Sequence, residues 1–383
     1  MTGLAAAAAH GTTVDLSGLG YVQYGDAQSY SMPIANLQFG FNTNNGPYAI
    51  DSSPGQISAL TVLGTGSSGN PVVTNSSGMD NAYATPSGSG GLPYFNPNPL
   101  TYQGTTGTVA HNGANTWDTS LAALKSFLGG DPMAIFFNNN QTNSGTAADQ
   151  NLASWARVWI TDNNNNIVGG STFELSNNNK PYNLVSAGGG GTFMGDVGSY
   201  TAPGTGPGNP INTAPGATDF VLTGGAVCVE YIPGNSSFVP IPVPCGSSPS
   251  HGGTTVSGPI NHNLGADHVA YVEVFPELNA ELDSLFGSVS PSDLANYTMH
   301  VDVRLGCYDS GSGVTAPNVS PWMSCSYANG FGTGLNNGYE QFFIATATLP
   351  SNNNNPEPGS LALVSLALTA LGLVARRTRP FVR

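Results

Sequence analysis

Charge is what this sequence has least of. Only 8% of its 383 residues are Asp, Glu, Lys or Arg, against roughly a quarter in an average soluble domain. Basic side chains are the scarcest. Before residue 376 there are four, Lys125, Arg157, Lys180 and Arg304, and residues 1–355 set them against 21 acids for a net charge of −17. Such a surface repels phosphate backbones, whose binding draws on Lys and Arg, and this argues against nucleic acid as a partner. Divalent cations, or solubility alone, suit the charge better. There is no C-x-x-C pair, which argues against a zinc site. Also missing are a G-x-S-x-G elbow, a P-loop lysine motif, an H-E-x-x-H helix and any repeat at fixed spacing.

What is present is aromatic and turn-rich. Sixteen Phe, 15 Tyr and 4 Trp are too many for a disordered chain, which lacks the apolar surface to offset its ordering entropy. With 51 Gly and 28 Pro, the composition predicts a loop-rich, mainly β protein. Trp155–Thr161 alternates, with Trp155, Arg157, Trp159 and Thr161 on one side, and Asp162–Asn166 turns the chain into Ile167–Leu175. Gln56–Leu63 and Tyr339–Leu349 read as strands, and Phe220–Leu222 with Ala226–Ile232 as a second hairpin. In Tyr297–Leu305, Met299, Val301 and Val303 alternate with His300, Asp302 and Arg304, which predicts one buried and one wet face. Helices are expected over Trp117–Leu128 and Pro276–Phe286, from leucine stripes at helical spacing. Residues 64–116, 186–218 and 233–262 are too rich in Gly, Pro and Ser for regular elements and read as long loops. The expected architecture is a β-sandwich or jelly-roll-like body with two or three peripheral helices and a C-terminal transmembrane helix.

Candidate chemistry is sparse. The four cysteines allow three pairings; Cys228–Cys245 and Cys307–Cys325 are favoured because each brackets a local Gly/Pro-rich excursion. Each bridge would contribute about 3 kcal/mol by restricting the unfolded chain. Gly64-Thr-Gly66-Ser-Ser-Gly69 matches the dinucleotide fingerprint, but Asn70-Pro71 follows where a helix is needed, so it reads as a loop. His262, Asp267, His268 and Glu273 form the best polar cluster, at a spacing that suits solvated loop and strand-edge residues better than a metal site. Glu277 and Glu281 lie one helical turn apart and read as an outer face rather than, with Glu273, a paired-carboxylate site. Asp162–Asn166 offers oxygen ligands for calcium without the EF-hand spacing, so a plain turn is expected, with no metal and no cofactor.

Both ends point out of the cytoplasm. Residues 1–9 end in Ala7-Ala8-Ala9, like a truncated signal-peptide remnant without its basic start. Residues 10–350 form the β-rich body, and 351–355 an Asn-rich linker. Pro356-Glu357-Pro358 follows, then 17 apolar or small residues, 359–375, then Arg376, Arg377 and Arg379. As a helix that run spans roughly 26 Å, near the lower limit for crossing a bilayer core. Its arginines resist translocation and keep the body outside.

Residues 356–383 resemble the PEP-CTERM sorting domain of Gram-negative bacteria, in the order of Pro-Glu-Pro, apolar helix and arginine cluster. The body is similar to PEP-CTERM proteins without assigned chemistry, through FFNNNQTNSGTAADQNLASWARVWITD (136–162) and NNGYEQFFIATATLP (336–350). The resemblance implies a substrate of an exosortase-type peptidase, anchored in the inner membrane as a precursor and then displayed at the surface or in an exopolysaccharide or biofilm matrix. It makes the chain a substrate of that peptidase rather than the peptidase itself, and the preferred reading is a non-enzymatic protein. Two alternatives compete with this: a carbohydrate-binding module using exposed Trp117, Trp155 or Trp322, and an exported polysaccharide hydrolase.

Overall fold

The computed structural model describes residues 13–39, 46–50, 60–66, 73–85, 94–95, 116–138, 154–175, 200–201, 210–211, 227–233, 238–244, 246, 248–249, 253–257, 271–306 and 340–349. The chain partitions into two compact units, Met1–Leu349 and Pro350–Arg383. All of the second unit, with the sorting motif and the apolar run 359–375, lies outside the described residues. No described helix is long and apolar enough to cross a membrane.

The described part of the first unit is mainly β. Its strands are β1 (Val14–Asp15), β2 (Tyr21–Tyr24), β3 (Ala27–Ser31), β4 (Thr61–Thr65), β5 (Tyr83–Ala84), β6 (Tyr94–Phe95), β7 (Trp117–Ser120), β8 (Met133–Asn138), β9 (Ser154–Thr161) and β10 (Ile167–Leu175). They continue with β11 (Tyr200–Thr201), β12 (Pro210–Ile211), β13 (Val227–Pro233), β14 (Phe238–Pro244), β15 (Thr255–Ser257), β16 (Tyr271–Val274), β17 (Thr298–Gly306) and β18 (Gln341–Thr348). The helices are α1 (Met32–Phe39), α2 (Leu121–Leu128) and α3 (Pro276–Ser288), with a 3₁₀ turn at Asp293–Asn296.

A ten-stranded sheet runs β12-β11-β2-β3-β16-β8-β18-β4-β5, with β1 added beside β18. Its central strands are apolar at almost every position because both faces are covered. Ile135 and Phe137 of β8, with Phe342 and Ile344 of β18, enter one hydrophobic cluster; Ala134, Phe136, Phe343 and Ala345 enter another on the opposite face. Register places Phe136 opposite Phe343, and the rings stack at 5.1 Å.

The second sheet, β10-β9-β17-β6 with β7 beside β17, shares the first cluster with the ten-stranded sheet. Ala156, Val158 and Ile160 of β9 and Met299, Val301 and Val303 of β17 line it, joined by Leu121, Leu124 and Leu128 of α2 and Leu278 and Leu282 of α3. A three-stranded sheet, β14-β13-β15, adds Val229 to the same core.

The β9–β10 hairpin forms as expected, and so do α3, β17 and β18, give or take two residues at their ends. At the hairpin turn Asp162 Oδ1 accepts from the backbone N–H groups of Asn164 and Asn166 at 2.8 and 2.9 Å, and Asn165 supplies the positive φ of 63°. Three expectations need correction. Trp117–Ser120 is strand rather than helix: the Ser120 hydroxyl accepts from the Ala123 N–H, a side-chain N-cap that starts α2 only at Leu121. Residues 233–262 are no uninterrupted loop, since they contain β14, despite its prolines, and β15. Short strands β5 and β6 fall within 64–116, and β11 and β12 within 186–218, where only loop was expected. Phe220–Leu222 lies outside the described residues, and β13 pairs with β14 instead.

Candidate functional site

The densest chemistry sits on the face of the five-stranded sheet that turns away from the shared core. Strand alternation puts Arg157, Trp159 and Thr161 of β9 there, with His300 and Asp302 of β17, Glu174 of β10 and Asp118 of β7. Register assembles them into two cross-strand rows. In one, Trp159 and Asp118 flank His300; in the other, Glu174 and Asp302 flank Arg157.

His300 is the hinge of the first row. Its Nδ1 lies 2.8 Å from Asp118 Oδ1, and its Nε2 lies 2.8 Å from Thr161 Oγ1. The Trp159 ring stacks on the imidazole at 5.2 Å and 23°. In the second row Arg157 Nε lies 3.3 Å from Glu174 Oε1, an ion pair without hydrogen-bond alignment. The Arg157 guanidinium also sits 6.0 Å over the Trp159 ring. Burial drives the Glu174 carboxyl up to about 7; Arg157 pulls it down and Asp26 pushes it further up. Asp26, on the β2–β3 turn, accepts the Glu174 N–H at 3.0 Å and is itself raised by burial.

Hydroxyl, imidazole and carboxylate in that order match the logic of an activated nucleophile. Enclosure decides what the chain can do here. Thr161 is 4% exposed, His300 2% and Asp118 0%, so protons can exchange along the chain but a substrate carbonyl has no approach to Oγ1. The arrangement satisfies buried polar groups and ties β7, β9 and β17 together.

This face corrects the expectation for β17: His300 and Asp302 are buried, not wet. Glu273 is a second correction. It is no strand-edge residue but lies on β16 between β3 and β8, fully buried. The Ser29 hydroxyl donates to its Oε1 at 2.6 Å, and Oε2 has no hydrogen-bond partner among the described residues. Burial pushes this carboxyl well above the ordinary range, against the pull of Ser29, and so favours its protonated form. His262, Asp267 and His268 lie outside the described residues.

Glu277 is exposed, as expected of an outer helix face. Glu281 instead folds down, with Oε1 buried beside Gly169 of β10 and its carboxyl raised by burial. Glu273 is thus fully buried while Glu281 is only partly so, which does not match two carboxyls sharing an open surface. Trp117, expected as an exposed aromatic, is 0% exposed, and its Nε1–H donates to the Asp80 carbonyl at 3.0 Å. Asp162, expected as a turn residue, spends its oxygens on the turn's own amides. The Asn166 side chain and backbone, then Asn164, hold it below the ordinary carboxylate range.

Cys228 is buried on β13 and disulfide-bonded; Cys245, Cys307 and Cys325 lie outside the described residues. Sequence reading named none of Thr161, His300, Asp118, Arg157, Glu174 or Asp26 as members of a site. The usable signal was parity: β9 and β17 both alternate apolar with polar, so pairing them brings the polar sets onto one face.

A mainly β body with an enclosed polar face is the class these features define. Residues 14–304, three quarters of the chain, match the family described as a domain of unknown function, DUF8239, and the chain belongs to that family. No curated protein and no solved structure matches it. The family region stops inside β17, yet β18 sits between β8 and β4 and supplies Phe342 and Ile344 to the core. The folded unit therefore runs on to Leu349.

Proposed function

We propose that this is an exported, non-enzymatic cell-surface or extracellular-matrix protein, delivered as an inner-membrane-anchored precursor and processed by an exosortase-type peptidase. One observation carries the reading: Pro356-Glu357-Pro358, a 17-residue apolar run and Arg376, Arg377 and Arg379 stand in that order at the end of the chain. A helix of that length with a basic stop holds its upstream partner outside the cytoplasm. The division of the chain at Leu349/Pro350 supports treating the tail as a unit of its own. The enclosure of the Thr161–His300–Asp118 chain supports a non-catalytic body. The body itself is a β-sandwich of jelly-roll type, a form supported by two sheets that share one apolar cluster.

Export also favours the local cysteine pairs. Val243 faces Cys228 across the β13–β14 ladder, and Cys245 follows two residues later in the sequence. Non-reducing peptide mapping should join Cys228 to Cys245.

Deleting residues 356–383 and following the protein through cell fractions tests the sorting reading. The truncated protein is expected to leave the inner membrane and lose surface delivery. Unchanged location and unchanged mature mass would overturn it.

A further inference from the structure

Proline in a strand normally argues against the strand, because it has no N–H to give the ladder. β14 carries three, yet pairs with β13 over seven successive positions, and Pro240, Pro242 and Pro244 face Tyr231, Val229 and Val227. Such a ladder survives only if every proline falls at a non-hydrogen-bonded pair, where backbone groups point away from the partner. Val239, Ile241 and Val243 then bond to Ile232, Glu230 and Cys228. The far side of β13 gives the same parity independently. The Thr254 N–H donates to the Tyr231 carbonyl at 3.2 Å, so Tyr231 turns its backbone toward β15 and away from Pro240.

Among the described residues β14 is the terminal strand of its sheet. Along its outer side the carbonyls of Pro240, Pro242 and Pro244 point outward with no N–H beside them, and by the same parity only Phe238, at the start of the strand, turns an N–H outward. A strand arriving there could donate but would find no donor for its own carbonyls from Pro240 to Pro244. Other edges are defended by different means. β10 slips register between Ile167 and Thr172, with Gly169 at φ +65° and Glu281 Oε1 2.9 Å from where a Cβ would stand. β12 is two residues long and begins with Pro210, and β5 and β15 have two and three residues.

We propose that β14 is an edge without outward donors from Pro240 to Pro244 and so bars strand addition, so that copies of this chain crowd together without polymerising through the three-stranded sheet. The partner it excludes is a second copy, or any extended peptide. The argument rests on backbone register and stands apart from where the protein is delivered.

The full chain carrying Pro240→Thr, Pro242→Thr and Pro244→Thr tests this, with light scattering and thioflavin fluorescence over a concentration series. Wild type should keep a constant mass. The variant should at least double its weight-average mass as concentration rises, with a fluorescence gain. A variant that stays at wild-type mass with its amides at 239, 241 and 243 still protected overturns the proposal. So does one that loses melting temperature without associating, which would mean that a neighbour such as α1, packed beside β14, already covers the edge. Should the triple variant not fold, Pro242→Thr restores one donor and is read the same way. Ile241→Pro tests the parity: it removes a ladder donor and should lower the melting temperature, and its tolerance would place the prolines on the wrong side.

Discussion

The ten-stranded and five-stranded sheets bury ionisable groups in opposite ways. Glu273 stands in the first among Ile135, Phe137 and Tyr271, with one serine hydroxyl for company, and burial favours its protonated form. Glu174 and its neighbours stand in the second as a community: Arg157 beside Glu174, and Asp118 and Thr161 on either side of His300. Burial raises both carboxyls, but it meets only one hydroxyl at Glu273, whereas at Glu174 a guanidinium 3.3 Å away pulls in the opposite direction. The apolar sheet therefore depends on packing, and the polar face on its cross-strand contacts, the Asp118–His300–Thr161 hydrogen bonds and the Arg157–Glu174 ion pair.

The largest effect should come from breaking the packing. Phe136→Ala removes a fully buried ring stacked on Phe343 and should cost about 3–5 kcal/mol in denaturant unfolding. A cost below that of any polar-face variant would reverse the contrast between the sheets.

Next comes pH. Glu174, Glu273, Asp26 and Glu281 all have raised folded-state values, so the native state holds protons that the unfolded chain releases. Their stabilising contribution is complete below the unfolded values, 4.5 for the glutamates and 3.8 for Asp26, and is lost as pH rises toward the folded ones. For Glu174 that window closes at about 7. Asp15 and Asp162, held low by turn hydrogen bonds, act in the opposite sense only in stronger acid. Thermal melts should show higher stability at pH 5 than at pH 8. Glu174→Gln should flatten the slope up to neutrality, and Glu273→Gln the slope contributed by the other sheet. A flat wild-type profile would contradict both.

Smaller again is the loss of one partner in the polar row. Asp118→Ala leaves His300 Nδ1 without its 2.8 Å partner in a closed site and should cost about 1–3 kcal/mol. The double variant with His300→Phe should recover part of that loss; no coupling between the two positions would show that the row is not a unit. The smallest change, Ser120→Ala, strips the α2 N-cap for about 1 kcal/mol and should leave the pH profile as it was.

Much of this fold can be read from residue order. The β9–β10 hairpin follows from alternation around an Asp-Asn turn, and α3 from Pro276 ahead of a leucine stripe. The candidate site was harder. Reading β17 as half wet was correct about parity and wrong about exposure, since His300 and Asp302 do share a face but that face is covered. Trp117 shows the reverse error: a leucine stripe starting at Leu121 was extended backward over a strand, although Ser120 marked the boundary.

By itself the sequence determined the mainly β character, the acidic surface, which residues lie together along each strand, and the tail on which the export proposal stands. Tertiary structure alone decided that the polar face of β9 and β17 is enclosed, that Glu273 lies mid-sheet, and that three prolines belong to a strand. The physical reason is the same in each case. Periodicity and side-chain chemistry are local and say which groups point the same way. What meets them there, whether water, a guanidinium or an open sheet edge, is settled only by residues hundreds of positions distant in the chain, such as the 182 that separate His300 from Asp118.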